Sequence, residues 1–465
     1  MNESRFYLYS ILTLIILACA RCKQAKESEN QKPNLLFIIA DDLTFRDLSC
    51  YGSKNVKTPN IDALAEQGMR FTRCFQAAPM CSPTRHNIFT GMYPVRTGAY
   101  PNHTFVKSGT KSIAHHLQKE NYRVSLTGKR HIAPEESFPF EFLNKSNNPD
   151  LQALEAFMVR DGNQPFCAFA CFSEPHTPWT KGDPSIYDPD KIVLPPYFVD
   201  TKETRQQLTE YYAEINHLDD EVGKIMDMLE KHNLTDNTLV IFSSEQGNAF
   251  PFAKWTLYDT GLQTAFIARW PEKIEPNTLS HAMIEYVDIT PTFVDVAGGR
   301  PIDNLDGKSF LPVLLGQTDQ HKKYVYGIHT TRGINNGSDY YGIRSVRSEK
   351  YKYIRNLTPE VVFENNITQQ SAVHFEYWGS WVEQAKLKDR AKELVDRYQH
   401  RPAEELYDII TDPLEMNNLA QNEDFKTVIT EHSLLLDNWM SDQGDKGQET
   451  EMEALEHKAN RLRKN

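Results

Sequence analysis

A chain of 465 residues holds one large domain, or one and a half, with ample apolar material for a core. With 40% hydrophobic, 25% charged and 11% aromatic residues it has the make-up of an ordinary soluble globular protein, without repeats or low-complexity stretches. The formal net charge of -12 argues against a general binder of nucleic acid or polyanions, yet one local cationic pocket in an acidic protein is enough for an anionic substrate.

The first segment, "MNESRFYLYSILTLIILACARCKQ", carries one early arginine, an apolar run from Ile11 to Ala18, and then Cys19. The run is too short to span a bilayer and suits the hydrophobic region of a secretion signal. Ala18 directly before Cys19 is similar to a bacterial lipoprotein cleavage box, although Leu17 is not the residue usual there. The expectation is a signal region over residues 1–22, cut before a lipid-modified Cys19, and then a polar tether over 23–32, "KQAKESENQK". That places the protein outside the cytoplasm, anchored by lipid to a bacterial outer membrane and facing the periplasm or the surface. An ordinary cleaved signal peptide, with a soluble secreted product, and a retained anchor are the alternatives. Among the seven cysteines, Cys19, Cys22, Cys50, Cys74, Cys81, Cys167 and Cys171, no zinc spacing occurs. A disulfide among Cys50, Cys74, Cys167 and Cys171 suits an oxidising compartment, with no pairing derivable.

"PNLLFIIADDL" (33–43) is a continuous apolar run ending in two aspartates, the pattern of a buried parallel strand whose carboxyl end opens into a site. "TPNIDALAEQGMRF" reads as a helix, with Thr58 and Asn60 as candidate caps and Gly68 at its end. "AAPMCSPTRHNIFTG" (77–91) places Cys81 before Ser-Pro-Thr-Arg; a nucleophile, a structural thiol and a modified residue are all open there. "QPFCAFACFSEPHTPW" is a second apolar strand ending in a His-Pro loop. A long amphipathic helix, "TRQQLTEYYAEINHLDDEVGKIMDMLEKHNL", precedes the strand "TDNTLVIFSSEQG", and "GLQTAFIARWP" is a further strand. Strands alternating with helices, with polar residues at strand ends, predict a doubly wound α/β sheet with its site along one edge. Near residue 320 the pattern changes to shorter antiparallel strands, a turn-rich stretch and a helix at about 422–440. The expected division is a catalytic domain over 33–320 and a smaller α+β subdomain over 321–465.

Asp41 and Asp42 at one strand end, and Glu245 and Gln246 at another, can converge on one cation through oxygen ligands alone, which suits calcium or magnesium. Lys129 and His131 in "LTGKRHIAP", His176 in "SEPHTPW" and Lys254 in "FPFAKWTLYDTGL" each follow a strand-like segment or sit in a tight loop, and Arg85 follows Cys81. Each alone is an ordinary structural residue. Together, fixed cations around a divalent metal suit a bound tetrahedral oxyanion.

These blocks, with "TPNIDALAEQGMRFTRCF", "CSPTRHNIFTG", "HLDDEVGKIMDMLEKHNLTDNTLVIFSSEQG" and "ELYDIITDPLEMNNLA", lie in one order over roughly residues 33–420. In that order the chain resembles the type I sulfatases of the alkaline-phosphatase-like superfamily. The resemblance implies a large mixed, mainly parallel sheet flanked by helices, with a smaller antiparallel C-terminal part. It implies that Cys81, read with Pro83 and Arg85 by a formylglycine-generating maturation enzyme, becomes 3-oxoalanine (formylglycine). Thr84 stands where Ser or Ala is usual and keeps a hydroxyl. A hydrated aldehyde has two hydroxyls, one to attack sulfur and one to collapse the resulting ester and expel sulfate, an exit a plain Ser or Cys lacks.

The resemblance further implies that Asp41, Asp42, Glu245 and Gln246 hold a cation with residue 81, calcium ahead of magnesium. Arg85 and Lys129 would stabilise the formylglycine and the sulfate, and His131 would assist regeneration of the nucleophile. His176 and Lys254 would grip the sulfate and help protonate the leaving alcohol. One departure stands out: the family pattern has Asp followed by Asn or His where this chain has Glu245-Gln246, each longer by a methylene. The implied function is an exported hydrolase of sulfate esters on a polysaccharide or its oligosaccharides. A phosphonate or phosphate ester hydrolase of the same superfamily, and a non-catalytic glycan-binding surface lipoprotein, are the alternatives. Trp179, Trp255, Tyr258 and Trp378 are candidates for stacking on sugar rings, with core packing the competing role. Asn102 and Asn233 sit in Asn-x-Ser/Thr sites read as chance.

Overall fold

A computed structural model describes residues 32–162, 164–369 and 374–457; Cys19, the signal region and nearly all of the tether lie outside the described residues. Nine strands form the main sheet: β1 (Asn34–Ala40), β2 (Met69–Phe75), β3 (Arg123–Gly128), β4 (Glu141–Phe142), β5 (Phe166–Cys171), β6 (Thr238–Ser244), β7 (Gln263–Arg269), β8 (Thr278–Ser280) and β9 (Ile284–Glu285). Their order is β4-β3-β5-β1-β6-β7-β2-β8, with β9 also on β2. Four more, β10 (Val325–Thr330), β11 (Gly342–Arg347), β12 (Tyr351–Asn356) and β13 (Glu404–Asp408), make a second sheet in sequence order, antiparallel throughout. The longer helices are α1 (Pro59–Glu66), α2 (Cys81–Thr90), α3 (Ile113–Lys119), α4 (Leu151–Val159), α5 (Lys202–Lys231), α6 (Ile289–Val296), α7 (Glu376–Ala385), α8 (Asp389–Gln399) and α9 (Lys426–Gln443).

The apolar runs form strands because both faces of the sheet are covered. Along β1, Leu36, Ile38 and Ala40 join a core that includes Leu208, Ile215, Leu218, Val222 and Ile225 of α5. Leu35, Phe37 and Ile39 join a second core with Ile113 and Leu117 of α3 and Ile289 and Phe293 of α6. The period of two along the strand thus feeds two apolar layers. The strand pairs β1-β5, β1-β6, β3-β4 and β3-β5 are parallel, while β7 runs antiparallel to both β6 and β2. Two reversals return β2 to the direction of β1. The carboxyl ends of β1, β2, β3, β5 and β6 and the start of β7 therefore all open on one edge.

Thr58 is the N-cap residue of α1 as read from the sequence, with Pro59 next to it. Asn60 is not a cap but lies inside the helix, where its backbone and side-chain amides donate to Asp219 Oδ2 at 3.1 and 2.9 Å. Helices α7 and α8, between β12 and β13, were not read from the sequence. They clamp the second sheet onto the first: Trp381 Nε1 donates to Thr204 Oγ1 at 2.8 Å and Tyr377 Oη to Ala249 O at 2.5 Å. On the other side, Ile328 N of β10 donates to Ala77 O at 2.7 Å, tying the second sheet to the run that leads into Cys81. The stretch from Asp445 to Glu451 is tied to β11 by buried Arg344, whose Nη2 donates to Glu451 Oε1 at 2.8 Å and Asp445 Oδ1 at 3.2 Å.

The longest helix, α5, starts at Thr201, whose Oγ1 accepts from Thr204 N at 3.1 Å and satisfies one of the four unpaired amides of the first turn. Thr201→Ala is expected to cost about 1 kcal/mol, read as a lowered urea midpoint with unchanged slope.

Candidate active site

Six residues from five places in the chain line one cleft of about 440 Å³: Asp42 beyond β1, Cys81, Lys129 and His131 beyond β3, His176 beyond β5, and Lys254 ahead of β7. Four more predicted residues, Asp41, Arg85, Glu245 and Gln246, lie beneath its floor, each 0% exposed. The sequence reading therefore named residues that the fold does bring together.

Cys81 is the first residue of α2, a helix buried along its whole length. Pro83 is tolerated because the third helical position needs no amide donor, and the Ser82 amide is met by Asn102 Oδ1 at 3.3 Å. Gly91, with φ of 68°, ends the helix in the left-handed conformation. The amino terminus of α2 thus directs its partial positive charge at residue 81. Burial and Asp41 push the Cys81 thiol up, but Lys129, Lys254 and His176 outweigh them and bring it down to about 7. Arg85, one turn along, donates from Nη1 to Lys129 O at 2.7 Å and pairs through Nη2 with Glu245 Oε2. The Thr84 hydroxyl donates to Ala78 O at 2.6 Å.

Asp41 and Asp42 are held by sheet geometry: Asp41 N donates to Glu174 O at 3.0 Å, and Asp42 has a φ of 59°. Lys129 Nζ pairs with Asp41, and Lys254 Nζ with Asp42 Oδ2 at 2.7 Å. His176 Nε2 stands 3.6 Å from the same Asp42 oxygen. Burial opposes ionisation of Asp41, but Lys129 and His176 hold it well below the usual carboxylate range. Burial, with Asp41 and Cys81 as like-charged neighbours, drives Glu245 well above that range despite Arg85. His131 Nε2 and His103 Nδ1 lie 2.8 Å apart, and His131 Nδ1 is buried without a hydrogen-bond partner.

One ligand atom each from Asp41, Asp42, Cys81 and Glu245 fall within 4.8 Å of one another. The Gln246 amide nitrogen points into this group, at 2.6 Å from Asp42 Oδ1, 2.9 Å from Glu245 Oε1, 3.2 Å from Asp41 Oδ1 and 3.4 Å from Cys81 Sγ. Its Oε1 is buried with no hydrogen-bond partner. The positive end of an amide dipole thus lies where several anionic donors meet, and its unused oxygen is the matching ligand once the amide turns. This donor set fits a hard divalent cation, which would also reverse the upward push on Glu245. The longer side chains of Glu245 and Gln246 reach the cluster.

The rest of the cleft comes from loops that carry no strand-end signal. His103, Asn147, Thr177 and Asn366 add polar walls, while Ile334 and Phe375, from the C-terminal part, add apolar ones. Asn102 is 4% exposed and bonded to Ser82, so its Asn-x-Thr pattern is structural. Of the aromatic candidates, Trp255 lines the cleft beside Lys254, at 4.7 Å from its Nζ. Trp179 stacks on Phe250, Trp378 packs against Trp381, and Tyr258 donates to Glu405; all three are buried away from the cleft lining. Cys50, Cys74, Cys81, Cys167 and Cys171 are all free thiols.

Converging strand ends on a mixed, mainly parallel sheet, a helix amino terminus at Cys81 and an interleaved set of acids and bases define an alkaline-phosphatase-like hydrolase. The sulfatase family model matches residues 33–299, and the model for the C-terminal part of N-sulphoglucosamine sulphohydrolase matches 247–366. The chain belongs to the sulfatase family, the sulfuric ester hydrolases. It is 35% identical over 431 residues to an ulvan-active sulfatase of Formosa agariphila, covering 90% of this chain and 81% of that one. Its fold is shared with a protein solved in complex with its substrate D-glucosamine-2-N,6-O-disulfate (TM-score 0.69, 19% identity, 90% of this chain and 100% of that one). It is also shared with a phosphonate monoester hydrolase from Silicibacter pomeroyi (TM-score 0.70, 17% identity, 89% and 96%).

Proposed function

We propose that this chain is an exported sulfatase that removes sulfate esters from a polysaccharide or its oligosaccharides. Cys81 would be converted to formylglycine, and calcium held by Asp41, Asp42, Glu245, Gln246 and residue 81. The observation that carries this reading is the position of Cys81: first residue of a buried helix, open to the cleft, between the acid cluster and Lys129 and Lys254. Formylglycine supplies a hydrated aldehyde whose two hydroxyls attack sulfur and release sulfate, and the cation supplies Lewis acidity that lowers the pKa of the attacking hydroxyl.

The remaining work falls to the side chains present. Lys129 and Arg85 fix the side of residue 81 facing β3. Lys254, held by Asp42, presents an ammonium to the sulfate oxygens. His176 is about one-third exposed, with Nδ1 anchored on Thr177 O at 2.5 Å, and so stands where the leaving alcohol exits and needs a proton. His131, braced through Nε2 by His103, keeps Nδ1 free to take a proton from residue 81. The activity of the Formosa relative on ulvan supports a polymeric sulfated substrate, and the export signal with a lipid on Cys19 would place the enzyme where such polymers are met.

The test is sulfate release from sulfated polysaccharides by protein co-expressed with a formylglycine-generating enzyme, with mass spectrometry across the residue 81 peptide. Sulfate release together with the mass of CHO in place of CH2SH supports the reading; an unmodified thiol despite an active maturation enzyme brings a non-catalytic glycan-binding role forward. The fold shared with a phosphonate monoester hydrolase favours a second reading, and faster turnover of phosphonate or phosphate esters would establish it. Chelation is expected to lower sulfate release by about 10²-fold or more. Returning calcium at about 100 times its Kd should add about 2.7 kcal/mol of stability, read as a raised Tm. Calcium that leaves Tm unmoved would remove the metal from the account.

A further inference from the structure

Away from the catalytic cleft, two adjoining cavities of about 790 and 560 Å³ share Arg96. Their linings hold seven lysines and arginines against four acids, in a chain where acids outnumber those bases 63 to 51. Two of the acids are already neutralised: Asp306 by Arg96 at 2.6 Å, and Glu120 by Lys32 at 3.1 Å. Asp303 and Asp442 remain. On the other side of the count, Lys111, Lys119, Arg300, Lys308 and Lys323 have no carboxylate partner among the described residues, and all five are exposed. Five unpaired cations facing two unpaired acids leave a locally positive trough on an acidic protein. His116 in the same lining registers it: burial, then Lys119, His115 and Lys111, press its imidazolium down to about 4.

The lining also carries aromatic side chains. Tyr326 and Trp439 stack face to face, centroids 4.9 Å apart and 1° from parallel, in the wall of the smaller cavity. Trp439 is 6% exposed and the stack closes one face of each ring, so half-buried Tyr326 is the aromatic side chain left to meet a pyranose ring, while cations spaced along a groove take charged substituents. The trough is close to the cleft by chain connectivity: His103 lines the cleft and Ser108 the trough, five residues apart and so no more than about 18 Å.

We infer that this trough is a second binding site for a sulfated glycan chain, holding the polymer while one of its sulfate esters occupies the cleft. The inference rests on the proposed reading that the substrate is a sulfated polymer. It implies that affinity for polymer exceeds affinity for a small ester by a salt-sensitive contribution made outside the cleft.

The experiment measures binding of the mature chain to immobilised dextran sulfate, with uncharged dextran as reference, for wild type and for Lys111→Glu/Lys119→Glu/Arg300→Glu. A control with equal charge change reverses Lys57, Lys273 and Lys388, which are exposed outside the trough. The trough variant is expected to bind dextran sulfate about tenfold or more weakly, with a shallower salt dependence, while the control stays within about twofold of wild type. Hydrolysis of a small aryl sulfate should be unchanged in both. Equal loss in trough variant and control, no loss in either, or tighter binding to phosphatidylglycerol vesicles than to dextran sulfate each overturns the inference. Because binding is read without turnover, a protein that binds dextran sulfate through the trough but releases no sulfate refutes the proposed activity and leaves the trough standing. A protein that releases sulfate with no trough dependence does the reverse.

Discussion

Replacing Cys81 with serine is expected to lower the steady-state rate of sulfate release from a sulfate ester by about 10⁴-fold or more, measured with protein made with the maturation enzyme present. The two side chains are close in size, and the position is 3% exposed inside a helix that is buried throughout, so the fold should survive unchanged. What is lost is a functional group. Serine offers one hydroxyl to the electrophile and no second hydroxyl on the same carbon to release the product. The variant should therefore make at most one turnover per molecule and stop, giving a burst of alcohol without the matching sulfate. The surrounding charge, with Lys129, Lys254 and His176 drawing the site toward an anion, is untouched by the change. Steady turnover by the serine variant above about 1% of wild type would mean that a single hydroxyl suffices and the aldehyde is dispensable.

Legibility of the site in the sequence followed from where its residues sit. Asp41, Asp42, Glu245 and Gln246 end β1 and β6, two strands buried on both faces, and an unbroken apolar run that stops at charged residues is a readable signal. Lys129 and His176 were visible in the same way, beyond β3 and β5. Helix α2 was not: every one of its residues is buried, so no apolar stripe marks it, and Pro83 argues against a helix when its first-turn position is unknown. The motif was legible where the element was not. Strand direction in β7 was equally hidden, because antiparallel pairing with β6 and β2 is a property of connections and not of "QTAFIAR" itself. His103, Ile334 and Phe375 reach the cleft from loops and from the C-terminal part, where no periodicity points inward. Helices α7 and α8 lie between β12 and β13 of the second sheet, where the surrounding pattern of short strands after residue 320 gives no cue to them.

Glu245→Ala is expected to destabilise the protein by about 3–5 kcal/mol, measured by chemical denaturation in the absence of calcium at a pH alkaline enough to ionise Glu245, whose carboxyl is pushed by burial well above the usual range. Glu245 and Arg85 are both 0% exposed, and their pairing is what allows a guanidinium to sit under the sheet edge. With the carboxylate gone, Arg85 keeps its hydrogen bond to Lys129 O at 2.7 Å and its contact with the Cys171 thiol, and neither neutral group balances its charge. The Gln246 amide loses one of its acceptors at the same time, Glu245 Oε1 at 2.9 Å. Two companions separate the causes. Glu245→Gln keeps the shape but not the charge, and should recover part of the packing and none of the ion pair. Glu245→Ala with Arg85→Met removes both charges and should restore most of the stability, because a buried pair replaced by apolar groups is often neutral while a broken pair is not. That double variant would fold well and still fail to gain stability from calcium, since its donor set has lost a carboxylate. A loss below about 1 kcal/mol in Glu245→Ala would show that Arg85 finds another anion, Asp41 or the Cys81 thiolate, both of which already support its charge. The longer glutamate then has a physical reading: it extends far enough to meet the Gln246 amide in the acidic cluster through one oxygen and the buried arginine through the other.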